Sequence, residues 1–378
     1  MNISHIHNCY GCGMCATVCR RKLIDIIQNA DGFYEPFIKK HEECIDCGLC
    51  VEVCSYCHDE LSVKNFPLYS YAAWSKDVNV RKKCSSGGIS FEVGRYLLGQ
   101  GYKVCGVRYN VDKNQAEHYI ATTIEELIPS IGSKYIQSYT VNGFRQINRN
   151  EQYLVTGTPC QIDSFRRYVQ KFHCEDNFIL MDFFCHGVPS KLMWDKYVTW
   201  AEKKVGKLTN VSWRNKQTGW HDSWNMAING ESKKTINSKL SQGDRFYNLF
   251  LGDFCTNPAC LEKCKYKYDQ SVADIRIGDM WGDTYKENEE GVSAIVIFTN
   301  RGVLALSNAN IKMISHPFNI VAEKQMKKRG HSSALSFYSW RLLNTGISIN
   351  SPLFGVLIKT QHILQFVRRN INKLIKMF

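Results

Sequence analysis

Two cysteine runs constrain this chain more than anything else in it. The first reads Cys9-Tyr-Gly-Cys12-Gly-Met-Cys15-Ala-Thr-Val-Cys19, the second Cys44-Ile-Asp-Cys47-Gly-Leu-Cys50-Val-Glu-Val-Cys54. Both follow the spacing C-x2-C-x2-C-x3-C. Thiolates at this spacing wrap a cubane of four irons and four sulfides, and the fourth cysteine of each run reaches across to the other cluster. The spacing predicts one 4Fe–4S site on Cys9, Cys12, Cys15 and Cys54, and a second on Cys44, Cys47, Cys50 and Cys19. Structural zinc usually takes two separated C-x2-C pairs, so a pair of zinc knots is the lesser alternative. Gly11, Gly13 and Gly48 let the backbone turn tightly and point amides at sulfide. Such a run is ordinarily followed by Pro, whereas here Arg20 and Ser55 follow. Cys57, three residues past Cys54, is a substitute ligand.

At 378 residues the chain has room for two or three domains and a core of ordinary size. The runs use eight of its 17 cysteines. A short secreted chain would turn such a surplus into disulfides. Here the N-terminus has no apolar run and no cleavage site, so no signal peptide is expected. Reduced thiols in a cytoplasmic, anaerobic or protected setting fit better. A net charge of +13 points to an anionic partner such as nucleic acid, a membrane surface, or an acidic substrate or cofactor. No dense Lys/Arg run or nucleic-acid motif is present, so nucleic acid is not expected. No apolar stretch is long enough to predict a transmembrane helix.

Residues 1–62 read as a two-cluster ferredoxin-like unit, with a hairpin over 23–38 turning at Asn29-Ala-Asp-Gly32. Its own core is too small to hold it without metal. Residues 63–83 read as a connector. Cys84-Ser-Ser-Gly-Gly88 opens a helical pattern; such a turn presents amides and hydroxyls to an anion, and equally reads as a plain N-cap. Val104–Tyr109 and His118–Thr122 alternate like paired strands. Gly132-Ser-Lys-Tyr135 reads, by spacing alone, as a capped loop. Strands over 152–156 and 178–184 each run into a Gly-bearing turn and a helix, which is α/β grammar. They put Cys160 and Cys185 at strand ends, where open α/β sheets keep their sites. Antiparallel strands over 211–214 and 224–228 follow, and 294–299 is the last clear strand. The tail, 346–378, is a basic amphipathic helix. It docks on its own core or a partner subunit, or lies on a membrane surface.

Five motifs occur in one order: Ser85-Ser-Gly-Gly88, Gly132-Ser-Lys-Tyr135, Gly157-Thr-Pro-Cys-Gln161, Cys185-His-Gly-Val-Pro-Ser190 and Gly278-Asp-Met-Trp-Gly282. Together they resemble the beta-subunit family of coenzyme F420 hydrogenases and dehydrogenases, over about residues 1–300. That family also holds 7-hydroxymethyl chlorophyll a reductase and a ferredoxin-dependent divinyl chlorophyllide reductase. Many bacterial members occur in surface-polysaccharide gene clusters. The resemblance implies FAD in the α/β part, lined by Ser85, Ser86, Gly87 and Gly88 with Gly132, Ser133, Lys134 and Tyr135. Lys134 would meet a phosphate or the flavin edge. It further implies a third cluster on Cys160, Cys185, Cys260 and Cys264, with Cys255 as a substitute. Zinc at Cys255, Cys260 and Cys264 is the competing reading there.

The resulting expectation is an α+β or α/β chain: a two-cluster ferredoxin-like module (1–62), a connector (63–83), a mixed α/β flavin-binding domain (84–345) and a C-terminal helix (346–378). Its function would be that of a cytoplasmic iron–sulfur flavoprotein oxidoreductase. Electrons would pass from a reduced ferredoxin or other low-potential donor through the clusters to FAD, and on to a small organic acceptor, in surface polysaccharide biosynthesis for example. His186 is the candidate general acid, a backbone-bonded structural histidine being the alternative. His221, Asp279 and Trp281 are placed near the cleft without roles. A homo-oligomer and a peripheral membrane contact are further expectations. The competing function is an electron-transfer subunit without its own substrate.

Overall fold

The computed structural model describes residues 2–375. Near its start, β1 (Ile24–Gln28) and β2 (Tyr34–Ile38) form an antiparallel hairpin with Ile24 opposite Ile38. The Asn29 side chain accepts from the amides of Asp31 and Phe33, which closes the turn. The short helices Met14–Val18 and Leu49–Glu52 flank the hairpin, each led by a glycine in the left-handed region.

The other strands are, in chain order, β3 (Tyr69–Ser75), β4 (Lys103–Asn110), β5 (Gln115–Ala121), β6 (Ser138–Tyr139), β7 (Tyr153–Thr156), β8 (Phe178–Phe183), β9 (Leu208–Ser212), β10 (Asn225–Gly230), β11 (Thr235–Lys239), β12 (Ile275–Asp279), β13 (Ser293–Ile297) and β14 (Ile311–Ser315). Nine of them form one mixed sheet, ordered β14-β3-β13-β12-β8-β7-β4-β5-β6, while β9–β11 form a separate sheet. In its middle β4, β7, β8 and β12 run parallel, and the helix Pro159–Lys171 carries the chain from β7 back to β8. Both faces of these strands are covered, so they are mostly apolar on both, with the buried Asp182–Arg276 ion pair between β8 and β12 as an exception. Tyr153, Val155, Phe178 and Leu180 face the N-terminal unit. Leu154, Ile179, Met181 and Ile275 face the side of the helices Ile89–Gly99 and Asn300–Ser307.

Three sequence expectations change here. Residues 63–83 are more than a connector: they supply β3, paired between β13 and β14. Small residues at its centre, Ala72 and Ala73, are fully buried and break the alternation that its aromatics Tyr69, Tyr71 and Trp74 would otherwise show. A further strand, β14, follows the one expected last. The N-terminal unit completes its core with the sheet and not with metal alone: Ile3, Met14, Val18, Leu23 and Val53 share one cluster with Val155, Phe165 and Leu180.

The C-terminal helix is Pro352–Ile375. Phe354 and Ile358 anchor it among Phe246 and Tyr247, whereas Ile363, Leu364, Phe366, Val367 and Ile371 are exposed. Lys376 lies outside the described residues, as do the side chains of Arg368, Arg369, Lys373, Leu374 and Ile375. Among the described residues no helix is long and apolar enough to cross a membrane.

Candidate functional site

Cys9, Cys12, Cys15 and Cys54 are buried free thiols close enough to repel one another. Burial, reinforced by repulsion among Cys9, Cys12, Cys15 and Cys54, pushes the first three up, Cys12 to about 12. The loop that carries them is tied down from outside. Gln137 Nε2 donates to the Tyr10 carbonyl at 3.0 Å, Thr140 Oγ1 to that of Cys12 at 2.8 Å, and Asn257 Nδ2 to that of Cys9 at 3.1 Å. The Gly11 amide donates to Cys9 Sγ at 3.3 Å. Cys57 adjoins as a fifth thiol; its hydrogen bond with Cys54 lowers Cys57 and raises Cys54.

The second set is shallower. Cys50 is buried, Cys19 and Cys44 are half-buried and Cys47 is exposed. Cys15 feels Cys50, so the two sets adjoin. Asn2 Nδ2 lies 3.7 Å from Cys44 Sγ.

A third set forms only in three dimensions. Cys160 opens the helix after β7, Cys185 follows β8, and Cys260 and Cys264 lie in and just beyond the helix Pro258–Glu262. Burial raises Cys160, Cys185 and Cys260, and the members of the set add repulsion to one another. Cys160 also feels Cys12 of the first set. Cys255 does not join: its neighbours are Ser339 and Asp31. Between the first and third sets stand Tyr10, Tyr56 and Tyr266, with the ring of Tyr10 edge-on to the others at 5.3 and 6.0 Å. Among the described residues no three Cys, His, Asp or Glu side chains converge as ligands of a single ion do. A cubane binds each thiolate at a different iron, so these wider frames suit it.

A cavity of about 520 Å³ opens at the carboxyl ends of β7, β8 and β12, beside the third set. The volume is ordinary for a cofactor pocket. Ser85, Ser86, Gly88, Gly132, Ser133, Lys134, Tyr135, Cys185 and His186 line it. Ser85 Oγ accepts from the Ser133 amide at 2.9 Å and from its hydroxyl at 3.1 Å, which joins two motifs distant in sequence. Gly87 stands behind the wall, where a Cβ would lie 2.3 Å from the Ala73 carbonyl. Lys134 Nζ is engaged by its own loop, donating to the carbonyls of Pro129, Ser130, Ile131 and Gly132 at 2.9–3.1 Å. These contacts order the loop and hold the ammonium at the cavity wall.

His186 Nε2 lies 3.1 Å from Asp253 Oδ1. Asp279 and Trp281 line the cavity, but His221 is absent from its wall and faces the Tyr285 carbonyl at 3.3 Å. Sequence reasoning missed Arg214 and Trp224. Arg214 Nη1 bonds Asp279 Oδ2 at 2.7 Å, and its guanidinium lies 5.3 Å and 5.0 Å from the Trp224 and Trp281 rings. Tyr135 stacks on Trp224 at 4.8 Å. No linear motif marks them; they arrive from the β9–β10 region.

Cysteine sets beside a cofactor-sized cavity define a class, that of oxidoreductases built for metal-borne electron transfer. Residues 70–143 match the family model for the N-terminal part of the coenzyme F420 hydrogenase/dehydrogenase beta subunit, and residues 150–316 that for its C-terminal part. The chain belongs to this beta-subunit family. It is also similar to a chain of the F420-reducing NiFe hydrogenase complex from Methanosarcina barkeri, solved with xenon. The identity is 19%, over 66% of this chain and 82% of that one, with a TM-score of 0.47. No curated protein matches.

Proposed function

We propose that the chain is an iron–sulfur flavoprotein that takes electrons from a reduced ferredoxin or similar low-potential donor and delivers them to an organic acceptor in the cavity. The observation that carries this reading is the sequence of three cysteine sets, exposed at Cys47, buried around Cys12 and bordering the cavity at Cys185. Residues 1–62 would be the two-cluster unit. Residues 84–345 would hold FAD against Ser85, Ser86, Gly88 and Gly132–Tyr135, with Gly87 packed behind them, and Cys160, Cys185, Cys260 and Cys264 a third cluster. When bound, the clusters carry single electrons and the flavin pairs them for the acceptor.

The chain's own residues do the rest. Cys47 brings the second set within reach of a donor. Tyr10, Tyr56 and Tyr266 keep water from between the buried sets, which tunes their potentials. Asp253 orients His186, which protonates the acceptor as general acid. The exposed apolar face around Ile363 and Val367, in a chain with no Asp or Glu after Glu323, supports peripheral contact with an anionic membrane.

Iron, sulfide, zinc and flavin content of anaerobically purified protein tests this. About 12 irons and one flavin are expected, and about 8 irons would remove the third cluster. Iron without flavin, after reconstitution with FAD, would undercut the flavin site; zinc without iron would overturn the reading. Membership in a family of beta subunits favours a second reading, in which the chain only relays electrons to a partner enzyme. Turnover of a sugar or other small molecule by the isolated chain with reduced ferredoxin would exclude it.

A further inference from the structure

Ser55 stands where a ferredoxin-type run ordinarily carries proline. Proline has neither an N–H nor a hydroxyl. Ser55 uses both: its amide donates to Ser164 Oγ at 3.0 Å, and its hydroxyl to the Cys160 carbonyl at 3.0 Å. Ser164 lies one helical turn after Cys160 and reaches the other way, its Oγ 3.1 Å from Cys12 Sγ and 2.8 Å from Ser55 Oγ. Both serines are fully buried. Each is thus next to a member of one cysteine set along the chain and bonded to the other set through space.

We propose that Ser164 and Ser55 are positioning residues that bridge the first and third sets and raise the reduction potential of the first cluster; this rests on the reading of those sets as cluster ligands. With Cys12 as a thiol, its S–H donates to Ser164, Ser164 donates to Ser55, and Ser55 donates to the Cys160 carbonyl. With Cys12 as an iron-bound thiolate the S–H is gone, and the Ser164 hydroxyl turns back to donate to the sulfur. The Ser55 amide still holds Ser164 Oγ in place. Cluster binding releases the Cys12 thiol proton to solvent; within the serine pair only one hydroxyl rotates. A hydrogen bond to a ligand sulfur stabilises the added electron and so raises the potential. A serine pair buried for packing alone would do neither.

The test is an EPR-monitored redox titration of the anaerobic holoprotein as wild type, Ser164→Ala and Ser164→Thr. Ser164→Ala is expected to keep its iron while one cluster's midpoint falls. At fixed potential its reduced-to-oxidised ratio should drop about tenfold, equivalent to about 59 mV for one electron. Ser164→Thr, which keeps the hydroxyl, should restore it. An unchanged midpoint in Ser164→Ala at full iron content overturns the proposal. Should that variant lose iron, electron–nuclear double resonance of the reduced wild type in H2O and D2O decides. An exchangeable proton coupled to the cluster beyond that of the Gly11 amide on Cys9 is expected, and its absence overturns the bridge. A wild type without any reduced 4Fe–4S signal would instead sink the parent reading.

Discussion

Gly13 has φ 72°, and a Cβ there would lie 2.2 Å from Thr140 Oγ1. Gly13→Ala costs about 1–2 kcal/mol through the left-handed backbone alone. It also displaces the hydroxyl that holds the Cys12 carbonyl. The expected outcome is a lower thermal midpoint together with lower iron content, read by calorimetry and iron assay; full iron at an unchanged midpoint would refute it. Arg276 and Asp182 are both fully buried and doubly bonded, at 2.8 and 2.7 Å. Arg276→Met strands the carboxylate and should cost about 3–5 kcal/mol, whereas the double variant Arg276→Met/Asp182→Leu should recover most of it. Urea unfolding of the three proteins checks the order. His118 is buried with Nε2 on the Thr156 carbonyl, and burial lowers its pKa from 6.5 to about 4. The unfolded chain therefore takes up a proton first, so stability is full above about pH 6.5 and falls as pH drops toward 4. The loss amounts to about 2 kcal/mol by about pH 5. His118→Gln should flatten that slope in urea midpoints measured across the window, and parallel slopes would contradict the assignment.

At the scale of elements, the C-terminal helix joins two behaviours. Its first turns are bolted to the core by Phe354 and Ile358, and beyond them the apolar face is bare. Ile363→Asp with Val367→Asp should leave the thermal midpoint unchanged and abolish sedimentation with anionic vesicles. Wild-type binding that is absent, or equal on neutral vesicles, would contradict membrane contact. This helix, the hairpin and the strands β4, β5, β7 and β8 were legible from period and turn chemistry, because those signals are local. β3 was not, since Ala72 and Ala73 break its alternation and their burial comes from strands β13 and β14, distant in sequence. The two cysteine runs were legible because ligand spacing is local chemistry. The meeting of Cys160 and Cys185 with Cys260 and Cys264 came only through the family resemblance, as it depends on how β7, β8 and a later helix converge. Arg214 and Trp224 carried no signal, and no spacing could show that the carbonyls of its own loop surround Lys134.

For the whole molecule, if the proposed clusters and flavin are bound, the exposure of Cys47 and the position of the cavity would set two routes for electrons apart. Cys47→Ser should leave the fold intact and slow reduction of the bound flavin by reduced ferredoxin at least tenfold, about 1.4 kcal/mol in barrier. A small chemical reductant that reaches the cavity directly should still bleach it at the wild-type rate. Stopped-flow absorbance separates the two, and equal slowing of both would refute the order of the sets. The N-terminal unit, for its part, shares its core with the sheet, and its first cysteine loop is pinned by Gln137, Thr140 and Asn257. None of those tethers requires iron. On the proposed reading, whatever delivers iron and sulfide would therefore meet a loop already tethered to a folded sheet, with Cys47 on its exposed side. On that reading, metal stripped by oxygen would leave these tethers standing, and a poisoned molecule could be refilled where it lies instead of being made again.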